Sequence, residues 1–204
     1  CDPDLATDEV PAIWAPSLTT TTVVLAGATA ASPDARPVDV AAFGPILDDR
    51  VLADGRHLVL AGAQGPHRLW LRDPTPGRRL AILVPEDDHY ELRAAAALRL
   101  RRRLRGLPTG APPPGCRPTP FQRRRLALLI NLVDASLAGA GPREMATHLT
   151  YPHMPALSAA EWKDSPERQR TRRLAREAIA LMEGGYRALL AGRLTGGHFH
   201  RPRF

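Results

Sequence analysis

The sequence predicts an α+β chain, with a β-containing N-terminal region ahead of a helical C-terminal one. Three observations carry that expectation. Between residues 22 and 84, short apolar runs alternate with Gly/Pro turns, which is the spacing of paired strands. From Thr119 onward, apolar residues recur at helical spacing behind capping residues. Between the two lies 106–118, Gly-Leu-Pro-Thr-Gly-Ala-Pro-Pro-Pro-Gly-Cys-Arg-Pro, which reads as a semi-rigid Pro-rich linker. The expected divisions are therefore 1–105 for a β-meander region ending in a helix, 106–118 for the linker, 119–193 for a helical domain and 194–204 for a flexible tail. A length of 204 residues allows one large or two small domains.

Taken in order, residues 1–22 read as irregular, broken by Pro3, Pro11 and Pro16. A β-type run follows at Thr22–Ala28, and 29–55 reads as an irregular Pro/Asp/Ala-rich stretch. Asp54-Gly55 is a turn signal before the run Arg56–Ala61. Turns at Gly62–Pro66 and Asp73–Gly77 then separate His67–Arg72 from Leu80–Val84, and the three runs read as a meander. Pro85-Glu86-Asp87-Asp88 opens a helix to about Arg105. Its acidic start and basic end suit the helix dipole, which is a sufficient account of Arg101, Arg102, Arg103 and Arg105.

The next helix, 119–138, has Thr119 as N-cap, Pro120 at N1, Gln122 at N3 completing a capping box, and Gly139 as its stop. Gly141-Pro142 starts a short helix over Arg143–Leu149, and Tyr151–Leu157 is a Pro-containing turn. Ser158 and Glu161 form a second capping box for a brief helix through Trp162 and Lys163. Ser165-Pro166 then starts a long helix expected to bend or break at Gly184-Gly185.

The long helix is the most informative stretch. At about 100° per residue, Arg168, Arg172 and Arg176 fall in one row with Gln169 and Arg173 beside it, and Thr171, Leu174, Ala178, Leu181 and Met182 fall opposite. Like charges at i,i+4 cost a free helix a few tenths of a kcal/mol per pair. A polyanion reverses that cost, because each arginine neutralises a phosphate and releases counterions. Charge distribution supports this reading. Residues 1–115 hold 13 basic and 14 acidic side chains, whereas 116–204 hold 15 and 7, so the whole net charge of +7 sits in the C-terminal part. Such asymmetry points to an acidic partner, most often nucleic acid. The order of helix, short helix, connection and basic capped helix is that of a helix-turn-helix, with a connection between Leu149 and Ser165 longer than the usual three or four residues.

Four segments make the fit more specific: Thr119–Arg125, Leu137–Ala146, Glu161–Ser165 and Met182–Leu190. Together they resemble a proteobacterial family, long labelled a domain of unknown function, of extended-turn helix-turn-helix proteins. Its members are transcriptional activators and antiactivators of integrative and conjugative element transfer. The resemblance covers roughly residues 80–193. It implies a helical extended-turn helix-turn-helix domain that binds double-stranded DNA, with RNA polymerase or a related antiactivator as protein partner. Basic domains of the family bind DNA and acidic ones are antiactivators, which favours the DNA-binding role here. The segment from Asp2 to Pro16 resembles the middle of the longer activators, so a chain starting at Cys1 reads as cut upstream.

The DNA-contacting residues expected are Arg143, Lys163, Ser165, Arg168, Gln169, Arg172, Arg173 and Arg176. Arg168, Gln169 and Arg172 lie in the first turns, which reach base edges. Arg173 and Arg176 are expected to hold phosphates, and Lys163, Ser165 and Arg143 to clamp the backbone, aided by the free N–H groups after Ser165. The rival reading is an antiactivator docking through an apolar patch around Leu126, Leu129, Val133 and Tyr186.

No catalytic constellation, cofactor or metal site is expected. Cys1 and Cys116 show no ligand spacing, and His198 and His200 lack a third ligand. Gly62–Gly65 has no phosphate-loop Lys-Ser/Thr. Trp70 and Trp162 read as core, and His148 and His153 as surface or packing residues. No apolar run approaches a membrane span, and the default compartment is cytoplasmic.

Overall fold

The computed structural model describes residues 11–29, 34–35, 37, 39–73, 75 and 77–193. Expectations for Cys1, residues 2–10 of the upstream segment, His198, His200 and the 194–204 tail lie outside these residues. Among the described residues the chain divides into two compact units, the second running from Pro118 to Leu189 and the first holding the rest, 190–193 included. The N-terminal unit is a sheet with a helix on one face and the C-terminal unit is helical, so the chain is α+β.

Five strands form the sheet: β1 (Thr22–Gly27), β2 (Ile46–Leu52), β3 (Gly55–Leu60), β4 (His67–Leu71) and β5 (Leu80–Leu83). Their order is β2-β3-β4-β1-β5. β1 runs parallel to β4 and antiparallel to β5, and β2-β3-β4 are successive antiparallel neighbours. Two expectations change here. The meander consists of β2, β3 and β4, because β1 inserts between β4 and β5. The run at 46–52, placed in an irregular stretch, is an edge strand. All of its residues but Asp48 are exposed, so it carries no buried alternation, and Asp48-Asp49 lowers its strand propensity. Its hairpin with β3 needs Gly55, at φ 135°, because a Cβ there would sit 2.3 Å from the Leu71 carbonyl oxygen.

One face of the sheet presents Val23, Leu25, Leu58, Leu60, Leu69 and Leu71. These pack on Phe43 and on Ala96 and Leu100 of α1 (Tyr90–Leu104). The helix begins five residues later than expected. The backbone N–H of His89 donates to Asp87 Oδ1 at 2.9 Å and that of Tyr90 to the Asp87 carbonyl at 2.9 Å, so 85–89 is a turn held by Asp87. The dipole account of the α1 arginines is also incomplete. Arg103 donates through Nε to the Phe43 carbonyl at 2.7 Å and through Nη1 to the Ala61 carbonyl. Arg99, only 7% exposed, reaches the carbonyls of Gly110 and Gln64. Two arginines thus tie loops to the sheet-packed helix, and Arg99 also holds the 106–117 segment. Buried His67 lies beside them. Burial, reinforced by the charges of Arg99 and Arg103, lowers its pKa to about 4.

In the C-terminal unit, α2 (Pro120–Leu137), α3 (Pro142–Met145), α4 (Ala159–Asp164), α5 (Pro166–Ala180) and α6 (Tyr186–Leu190) follow one another. The α2 capping box is formed as read: Gln122 N–H donates to Thr119 Oγ1 at 3.2 Å and Thr119 N–H to Gln122 Oε1 at 2.8 Å. The helix closes in a Schellman motif, with Gly139 at φ 83° donating to the Ser136 carbonyl and Ala140 to that of Ala135. After α3 the backbone widens to π-type turns over Ala146–Thr150. Leu129 and Leu132 of α2 pack on Met145 and on Leu174, Ala175 and Ala178 of α5. Leu129 is buried and Leu126, Val133 and Tyr186 are half-buried, so the patch expected of a docking antiactivator is not an exposed one. Among the described residues, no helix is long and apolar enough to cross a membrane.

Candidate nucleic-acid interface

One residue sets the geometry of the basic helix. Ser165 both ends α4 and begins α5. Its N–H donates to the Trp162 carbonyl at 3.3 Å and its hydroxyl donates to the same carbonyl at 3.1 Å. The hydroxyl also accepts from the Arg168 N–H at 3.1 Å, and Pro166 follows at N1 with φ already suited to a helix. The entry into α4 is fixed by Ser158. Glu161 N–H donates to its hydroxyl at 3.3 Å, and Ser158 N–H donates to Glu161 Oε2 at 2.7 Å. Those Ser158 bonds lower the Glu161 carboxyl pKa. Trp162 is buried, which anchors the short helix.

The phase of α5 follows from this anchoring. Thr171, Leu174, Ala175 and Ala178 are buried, and Gln169, Arg170, Arg172, Arg173 and Arg176 are exposed. Met182, expected on the inner face, is 48% exposed. Beyond Ala180 the helix widens to π-type turns over Leu181–Gly185, and Gly184 at φ 147° breaks the helical phase. On the flank of α5, Glu177 receives both carboxylate contacts from Arg125 of α2 at 2.8 Å, so this acid is neutralised rather than opposed to the arginine row.

The eight expected residues divide into two groups. Lys163, Gln169, Arg172, Arg173 and Arg176 lie exposed on α5 or immediately before it. Arg143, though exposed, and Ser165 and Arg168 bond groups elsewhere in the unit, and exposed Arg176 donates through Nε to the Arg172 carbonyl at 3.4 Å. Arg143 Nη2 donates to the Leu157 carbonyl and holds the end of the turn before α4. Arg168 is half-buried, and its Nη1 donates to the Lys163 carbonyl at 2.7 Å, across the end of α4. Ser165 is 6% exposed. The anion site expected at the α5 N-terminus is nearly used up. Pro166 has no N–H, the N–H of Arg168 is capped, that of Gln169 donates to the Ser165 carbonyl, and Glu167 adds a negative charge. Arg170 was missed because it lies about 200° around the helix from Arg168. It sits about 60° beyond Arg173, next to the buried Leu174, at the edge of the exposed face.

A capped short helix, a single shared residue and a basic helix with one buried face turn an arginine-rich surface outward. Residues 83–191 match the family model of the RovC DNA-binding domain, described as the DNA-binding domain of a T6SS transcription factor. That match spans more than half of the chain, and the chain belongs to this family. It carries a transcription-factor DNA-binding domain. Residues 21–82, which hold the strands, match a domain of unknown function, DUF7012. No curated protein and no solved structure matches the chain.

Proposed function

We propose that the chain regulates transcription by sequence-specific binding of double-stranded DNA through the outer face of α5. The observation that carries this reading is the opposition of faces on one helix. Three exposed arginines, Arg172, Arg173 and Arg176, and Gln169 stand across from Thr171, Leu174, Ala175 and Ala178 in the core. Gln169 and Arg172 take the base edges, as a glutamine for adenine and a bidentate arginine for guanine. Arg173, Arg176 and Lys163 hold phosphates, joined by Arg170 on the flank. Arg143, Ser165 and Arg168 position the helix rather than touch the duplex.

The chain acts as an activator of conjugative or mobile-element transfer genes. Support comes from the wording of Thr119–Arg125, Leu137–Ala146, Glu161–Ser165 and Met182–Leu190, and from the basic character of the C-terminal part. The family description supplies the competing targets, T6SS genes. Genome-wide footprinting with a transcriptional readout tests both parts. Protected promoters ahead of transfer genes, with transcription rising on expression, are expected. Protection ahead of T6SS genes would overturn the target and leave the mode of binding. No protected promoter at all would overturn both.

A further inference from the structure

The face of the sheet turned away from α1 holds a charge that the DNA-reading unit does not account for. Leu58, Leu60, Leu69 and Leu71 face the helix, so by alternation His57, Val59, Arg68 and Trp70 face the other way, with Thr22 and Val24 of β1. Arg68 stands on the central strand of the five. Its register partners are Val59 on β3 and Thr22 on β1, 1% and 6% exposed. Ile13 and Trp14, from the stretch ahead of β1, close over this place. With Thr22, His57, Val59 and Arg68 they line a cleft of about 200 Å³, its open mouth included.

The guanidinium in that cleft lacks a counterion. Elsewhere in the unit Arg50, Arg56, Arg78 and Arg93 meet carboxylates, and Arg99 and Arg103 meet carbonyls. Arg68 Nε is shut off from solvent and bonds nothing, and no ion pair among the described residues reaches this side chain. Burial lowers its pKa, with no acid to oppose the shift. The neighbours on this face are already matched: His57 stacks on Trp70 and holds Asp54 Oδ1 at 2.9 Å. An uncompensated buried charge is costly, and a buried donor without an acceptor marks a place where a ligand belongs.

The lining selects the ligand. A guanidinium fork matches a planar carboxylate, and a single cation suits a single negative charge. Thr19 Oγ1 and Thr22 Oγ1 lie 2.6 Å apart and spend one hydroxyl hydrogen on each other, which leaves the second for an acceptor. Ile13, Trp14 and Val59 offer apolar wall. The volume is under the ~300 Å³ at which pockets for drug-sized molecules begin, so the ligand is small. We propose that this cleft binds a small organic monocarboxylate, its carboxylate on Arg68 and Thr22 and its hydrocarbon part against Ile13, Trp14 and Val59. The site lies wholly in the N-terminal unit and does not depend on which face of α5 reads DNA.

Thermal melts and calorimetric titration of the whole chain with sodium benzoate and sodium butyrate, at an ionic strength held constant with sodium chloride, provide the test. Both acids should raise Tm as their concentration rises. Benzamide, which keeps the ring and loses the charge, and inorganic phosphate should not. Arg68→Met keeps the stem and removes the isolated charge, so without ligand its Tm should equal or exceed that of the wild type, and benzoate should no longer raise it. Arg68→Lys keeps the charge and loses the fork, and its benzoate affinity should fall about tenfold. A wild type that binds neither acid at high millimolar concentration overturns the proposal. So does benzoate binding undiminished in Arg68→Met and Arg68→Lys, an equal rise in Tm with phosphate, or an Arg68→Met chain that melts well below the wild type. Benzoate binding that appears only after Asp8→Asn and Glu9→Gln would assign the cleft to the chain's own carboxylates and overturn it as well.

Discussion

Replacing Arg172, Arg173 and Arg176 together by alanine tests the DNA-reading face through its electrostatics. The three side chains are exposed on α5, opposite the buried Leu174 and Ala178, so their removal opens no cavity. Alanine also has the highest helix propensity and relieves the i,i+4 repulsion between Arg172 and Arg176, so stability should not fall. If each arginine neutralises one phosphate, the slope of log affinity against log salt becomes less steep by about 2.7, at roughly 0.9 per contact. Over a fourfold rise in salt, that difference is worth about 40-fold in affinity, lost by the wild type and not by the variant. Fluorescence anisotropy titrations on one duplex at several salt concentrations measure both slopes, with thermal melts as a control. Parallel lines for the two proteins would refute the argument, because they would mean that the arginine row meets solvent in the complex as it does in the free chain.

Four further expectations follow from the same geometry. Arg172→Ala alone should lose discrimination at one base position, at a cost of about 1–3 kcal/mol against a cognate duplex and little against a scrambled one; competition binding measures the ratio. Arg168→Ala should weaken both duplexes equally without altering the salt slope, since its guanidinium serves the Lys163 carbonyl; a changed slope would return it to the phosphate contacts. Ser165→Ala removes the α5 cap and the hydroxyl bond to the Trp162 carbonyl, at a cost of about 1–2 kcal/mol. Urea unfolding followed by circular dichroism would read that loss, and a stability equal to wild type would refute the cap's role. His67, with a folded pKa of about 4 against an unfolded value near 6.5, stays neutral in the fold while the unfolded chain takes up a proton. Stability should therefore fall as pH drops from 7 to 5, by about 2 kcal/mol from this group, and His67→Gln should flatten that dependence.

The sequence was legible where a local signal decides the structure. Thr119/Gln122 and Ser158/Glu161 form capping boxes because side chain and backbone lie three residues apart and need no tertiary partner. The α5 faces were readable because Ser165 fixes the start and the period fixes the rest. Long-range pairing was not readable. Nothing in Thr22–Gly27 says that it lies between β4 and β5, since that arrangement depends on sheet-wide packing. The missed edge strand had no buried face to give it a period. The roles of Arg99, Arg103, Arg143 and Arg168 were obscured for another reason. An arginine donating to a carbonyl tens of residues away has the same sequence signature as one facing water or phosphate. Only the acceptor's position separates them.

The double duty of Ser165 bears on how chains of this kind can change in length. Residues added between Tyr151 and Leu157 enter a turn outside any helix, so they can bulge outward while α4 and α5 keep their phase. An insertion between Lys163 and Pro166 has no slack to enter. If it were taken into α5, one extra residue would rotate everything after it by about 100°, swinging the arginine row toward the space held by Leu174 and Ala178. Related chains should accordingly tolerate gaps before Ser158 and none across the α4–α5 junction. A reader whose helix is clocked by one shared residue can vary its operator by exchanging side chains on the outer face, but not by changing the spacing behind them.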